Sequence, residues 1–173
     1  LTFSESFSGF INPIVWLIVV AFFISRGFIK TGLGERIAYL IIKRVGKSTL
    51  GMGYGMILTD LLLAPAIPSV TARVGGIIYP IVHSLAKAFG SEPYSHPRRL
   101  GSFLMKVTFQ GSVITSGMFL TSMAGNPLIA DIASSIGLNI TWGTWALAAS
   151  VPGIICLSII PFALYKMYPP EIK

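Results

Sequence analysis

Charge is scarce in this chain. Its 173 residues hold 13 Lys+Arg and 6 Asp+Glu, or 11% charged, where a soluble domain carries about 25%. That shortage excludes an ordinary water-facing surface. The one cysteine, Cys156, excludes an intrachain disulfide and a multi-cysteine metal site; it sits in an apolar run and reads as a small packing residue. The two histidines, His83 and His96, lie near or in a polar connector and read as surface residues rather than metal ligands. No charged segment with a small-residue cleavage site precedes the first apolar run, so no signal peptide is read, and with Leu1 in first place the chain reads as an excerpt of a longer protein.

Apolar sequence is abundant instead, at 53% hydrophobic residues and a mean hydropathy of +0.76. A helix needs about 20 mostly apolar residues to cross a hydrocarbon core of roughly 30 Å, and at least three stretches reach or approach that length. The chain is therefore read as all-α, integral to the membrane and multi-pass, with the bilayer as a partner. The net charge of +7 does not point to nucleic acid, because the cations cluster between apolar runs and form no basic face with interleaved aromatics. They follow the excess of Lys and Arg in cytoplasmic loops.

Five segments follow. Residues 10–26 predict a transmembrane helix, with Arg26 and Lys30 at its cytoplasmic end. Residues 33–47 space Ile37, Leu40, Ile41 and Val45 near the helical period among charged neighbours, the pattern of an interfacial amphipathic helix. Residues 50–88 are apolar but interrupted by Pro65, Pro68, Ser69, Thr71, Arg73 and Gly75-Gly76. Basic flanks on both sides make this a re-entrant hairpin, whose polar tip must be buried in protein or line a wet cavity. Residues 101–136 are too long for one untilted span and carry Thr121 to Pro127 in the middle, as a broken transmembrane helix would. Residues 142–166 predict a transmembrane helix returning to the cytoplasm.

The two interruptions share small residues, hydroxyls, a proline and exposed backbone, and read as two walls of one site. Discontinuous helices aim half-helix N-termini at anions, while freed carbonyls hold cations. Ser69 or Thr71 would cap the returning helix and donate to a carboxylate; Asn126, with Pro127 after it, offers an amide donor. Single hydroxyls are also common in membrane helices as packing residues, so the pair of breaks carries the argument. Arg73 either neutralises a substrate carboxylate or pairs with Asp60 or backbone carbonyls. Asp60 and Asp131 read as structural. An intramembrane aspartyl protease would need the two to face each other, yet neither lies in a break; a channel is a further alternative.

The stretches Leu63 to Ile81 (LAPAIPSVTARVGGIIYPI) and Phe109 to Leu128 (FQGSVITSGMFLTSMAGNPL) resemble the divalent anion:sodium symporter family. The likeness is closer to its exchanger branch, the plastid 2-oxoglutarate/malate translocators and bacterial citrate or malate antiporters, and it covers nearly the whole chain. The resemblance implies a secondary active transporter, not an enzyme, that exchanges dicarboxylate anions in a bacterial plasma membrane or plastid inner envelope. A sodium-coupled di- or tricarboxylate symporter is the alternative. It further implies two inverted repeats, of which this chain would be the first without its opening helices, and a homodimer moving substrate by an elevator-like motion. The family's Ser-Asn-Thr hairpin tip falls on Ser69-Val70-Thr71, where the hydroxyls match and the amide is absent. Thr121, Ser122, Gly125, Asn126 and Pro127 would stand beside substrate. No cofactor is implied; sodium, where used, would lie near Ser69 and Gly125.

Overall fold

The computed structural model describes residues 2–172, the side chains of residues 4 and 5 excepted. Regular structure among them is helical, apart from one antiparallel bridge between Glu92 and Ser95. A short helix α1 (Phe3–Phe7) and a 3₁₀ turn (Ser8–Phe10) lead into α2 (Pro13–Thr31). Asn12 starts α2 by accepting the Ile14 amide at 2.8 Å, and Pro13 takes the first helical position, where its missing N–H is not needed. Gly32, at φ 66°, ends it. The helix runs five residues past the position read from sequence, because Arg26 and Lys30 are tolerated where side chains reach the interface and Lys30 favours the helix C-terminus.

Among the described residues two helices are long and apolar enough to cross a membrane, α2 with 19 residues and α8 (Trp142–Met167) with 26. Ser25 is the only buried residue in α2. Trp16, Leu17, Val20, Phe23 and Ile24 stand exposed along it, as do Leu147, Val151, Ile155 and Ile159 along α8. Such surfaces would drive aggregation in water and suit lipid or neighbouring membrane helices. Pro152 and Pro161 lie inside α8, as membrane helices tolerate. Cys156, read as a packing residue, is exposed on this helix, since its neighbours on the buried face are Gly153 and Leu157.

Helix α3 (Leu33–Val45) is amphipathic, with Glu35 in its first turn and Lys43 and Arg44 in its last, each sign matched to the helix dipole. It buries Gly34 and Ala38 and packs on α4 (Thr49–Leu63). Helix α4 packs in turn on α6 (Gly101–Met118), and α6 on α8. Their common core holds Met52, Met56, Ile57, Phe103, Leu104 and Val107. Small residues bring these backbones together: Gly53 lies under the Phe103 ring, and a Cβ on Gly111 would stand 2.7 Å from Ile57 Cγ1.

The chain after α8 folds back over the connector between α5 (Tyr79–Ala88) and α6. The amides of Glu171 and Ile172 donate to the carbonyls of Arg98 and Arg99, and Thr49 Oγ1 donates to Ile172 O at 2.7 Å. The Tyr168 ring meets two cations, the Arg98 guanidinium at 4.6 Å and the Lys106 ammonium at 3.2 Å from its centroid.

Replacing Gly111 by Val is expected to destabilise the bundle by about 1–3 kcal/mol, the usual cost of overpacking. Thermal unfolding of the detergent-solubilised protein should show a lower midpoint, whereas Gly27→Ala, with nothing within 4 Å of the added carbon and a better helix former in place of glycine, should not lower it.

Candidate functional site

Helix α4 stops at Leu63, and residues 64–69 carry no regular helix. Pro65 and Pro68 each remove a backbone donor there. Helical backbone resumes at Val70 and is π-helical over Thr71–Ile78 before becoming α5. Ser69 caps this return: its hydroxyl oxygen accepts the Ala72 amide at 3.2 Å and its carbonyl accepts the Arg73 amide at 2.9 Å. Of the two residues expected to cap, Ser69 does so, while Thr71 is exposed.

The second interruption lies between α6 and α7 (Gly125–Ser135), with Phe119 extended at φ −125°, ψ 145°. A helix C-terminus leaves its last carbonyls without partners, and here side chains supply them. Asn126 Nδ2 donates to Ser116 O and Phe119 O, both at 2.8 Å, and Ser122 Oγ donates to Phe119 O at 2.8 Å. Pro127 fits because it falls in the first turn of α7. Asn126, Ser122 and Pro127 are buried, Thr121 and Gly125 half-buried.

One buried cluster joins the two interruptions. Arg73, fully buried, donates from Nε to Asp60 Oδ1 at 2.5 Å, and from Nη1 to the carbonyls of Ile67 at 2.9 Å and Ser122 at 3.2 Å. Its Nη2 reaches Thr115 Oγ1 at 3.4 Å, and the Thr115 hydroxyl donates to Asp60 Oδ2. The guanidinium thus touches α4, α6 and the unwound backbone of both interruptions. Thr121 adds a second tie by donating to Pro65 O at 2.8 Å, and Trp142 Nε1 donates to Thr121 Oγ1 at 3.2 Å.

The two readings of Arg73 meet this geometry directly: the side chain pairs with Asp60 and with backbone carbonyls. Both Asp60 oxygens are engaged, and Asp131 stands apart on α7, so no carboxylate pair of the protease kind is formed by these two. Among the described residues no group of three or more His, Cys, Asp and Glu could hold a metal ion. His83 stacks on Tyr79 and His96 meets Ser95 Oγ at 3.0 Å, both exposed as expected. Sequence reasoning missed Thr115. Its signal was slight, a hydroxyl among Ser112, Thr115 and Ser116 in an otherwise apolar helix, and such hydroxyls usually bond their own helix, as Ser112 and Ser116 do.

Next to both interruptions a cavity of about 600 Å³ opens toward α2, lined by Trp16, Leu17, Val20, Pro65, Pro68 and Thr121 among others. Its walls are almost wholly apolar, which suits hydrocarbon rather than a carboxylate.

An all-helical membrane chain with two unwound stretches pinned to each other has the make-up of a transporter segment. Residues 1–173 match the sodium:sulfate symporter transmembrane region, and the chain belongs to that family, the divalent anion:sodium symporters. It is 57% identical, over its whole length, to a Bacillus subtilis (strain 168) protein provisionally named a malate transporter, covering 37% of that protein. It is 56% identical, again over its whole length, to dicarboxylate transporter 1 of Spinacia oleracea chloroplasts, covering 31%. An inner membrane protein of Escherichia coli (strain K12) is 52% identical over 96% of this chain and 35% of its own length. The chain therefore spans about a third of the length of these relatives, and it is integral to the membrane.

Asp60→Asn and Arg73→Gln should each destabilise the protein by about 3–5 kcal/mol, since each leaves its partner buried and uncompensated. The double variant should lose less than the two singles together, a coupling that thermal unfolding in detergent would measure.

Proposed function

We propose that this chain is one inverted repeat of a secondary transporter that exchanges small dicarboxylates of the malate and 2-oxoglutarate kind, and that Asp60 and Arg73 hold its two substrate-facing interruptions together. The observation that carries the reading is the joining of both interruptions through one buried cluster in a chain more than half identical to relatives named for malate and dicarboxylates. In this reading α4 and the return through α5 form a re-entrant hairpin. Helix α4 has 15 residues and reaches about 22 Å, short of a hydrocarbon core. The basic flanks of the hairpin share the cytoplasmic side, α6 and α7 form one broken crossing, and α8 returns.

No bond changes in such a protein; alternating exposure of one site does the work. The N-terminal ends of the return helix and of α7 supply partial positive charge to an anion. Hydroxyls of Ser69 and Thr71 donate to carboxylate oxygens, while Thr121, whose own hydroxyl donates to Pro65 O, and Ser122, Gly125, Asn126 and Pro127 shape the backbone beside them. Arg73 contributes no net charge to the site because Asp60 neutralises it. A second repeat completes the site and the whole protein works as a homodimer in a bacterial membrane or plastid envelope. This chain alone would not transport.

Sodium coupling is the second reading, favoured by the family's description. Val70, in place of an amide at the hairpin tip, supports exchange. Malate uptake into proteoliposomes holding the full-length protein separates the two: uptake that needs internal 2-oxoglutarate and ignores sodium supports exchange, and sodium-dependent uptake into empty vesicles overturns it. Thr71→Val removes an exposed hydroxyl that makes no side-chain hydrogen bond among the described residues. It should weaken apparent malate affinity about tenfold or more, as loss of a bond to a charged group does, without lowering the unfolding midpoint.

A further inference from the structure

We propose that the cavity between α5, the connector and the first turns of α6 is a binding site for an anionic phospholipid. The cavity has a volume of about 560 Å³, and His83, Lys87 and Lys106 bring basic groups to its rim against one acid, Glu92. Neither lysine takes part in an ion pair among the described residues. Lys106 rests on the Tyr168 ring, which holds the ammonium in place at the rim, where an N–H turned away from the ring can meet an anion.

Two further features fit a lipid rather than a free anion. The wall below the rim is apolar, through Ala86, Pro97 and Met105. From Met105 an exposed stripe continues along α6 through Phe109 and Val113, which are 65% and 58% exposed. These positions are four apart and share one helix face, giving about 12 Å of apolar track leading away from the cations. A headgroup phosphate at the lysines with an acyl chain along this track satisfies both ends at once. A soluble phosphate would use only the first. Basic pockets at helix ends are where anionic headgroups are held, and this one lies on the side where the loops carry Lys and Arg.

The test is native mass spectrometry of the full-length protein with phosphatidylglycerol or phosphatidylcholine of the same acyl chains. Phosphatidylglycerol should be retained preferentially, and Lys87→Gln with Lys106→Gln should reduce that retention on the order of tenfold while phosphatidylcholine binding is unaffected. Photoactivatable phosphatidylglycerol should label the Met105 to Val113 stripe in the unaltered protein, a readout independent of whether the variant folds. Equal retention of the two lipids, displacement of the lipid by inorganic phosphate, or a stripe that takes no label because the rest of the protein covers it would each overturn the proposal. None of these readouts depends on which substrate is carried.

Discussion

Everything near the two interruptions depends on one ion pair. Taking a guanidinium and a carboxylate out of water costs several kcal/mol each, and they persist only where geometry and further hydrogen bonds compensate. Arg73 and Asp60 meet that requirement through Thr115 and two carbonyls of unwound backbone. The unwound backbone needs donors as much as the arginine needs acceptors. Unpaired carbonyls inside a membrane protein are costly, and Arg73 satisfies one from each interruption. The same contacts that neutralise the charge thereby fix how the two interruptions sit against each other.

This economy extends outward. Asn126 and Ser122 close the end of α6 with side chains that sequence alone would assign to a ligand, and Thr121 spans from one interruption to the other. Around this polar centre lies a small apolar core of α4, α6 and α8, packed closely through glycines. Beyond that the chain turns hydrocarbon outward. Family membership, the exposed flanks of α2 and α8 and the share of the relatives covered are consistent with a unit built to be flanked on several sides.

Much of this was legible in sequence. Both interruptions could be placed because proline and glycine act locally, and α3 could be placed because its charges and apolar residues alternate at the helical period. The pairing of Arg73 with Asp60 was left open against substrate neutralisation, because thirteen residues and an unwound stretch separate them and only the fold of that stretch decides. The inward aim of Asn126 could not be read either, since it depends on rotation about the axis of α7. Thr115 carries no pattern of its own; its role comes wholly from what lies opposite. The exposure of Cys156 shows the same limit on α8, which is apolar on every face and so gives no sign of which one is covered.

The π-helical backbone over Thr71–Ile78 makes the position of Arg73 a matter of chain length. A π-turn holds an extra residue within a helical turn, so the stretch works like a gear set one tooth out of step with the α-helix that follows. Losing that residue would let the stretch close into ordinary α-helix, turning the residues inside it on the axis while the segments on either side keep their places. Arg73 lies inside that stretch, so its aim at α6 is set by the length of the backbone around it as well as by the residues that hold it.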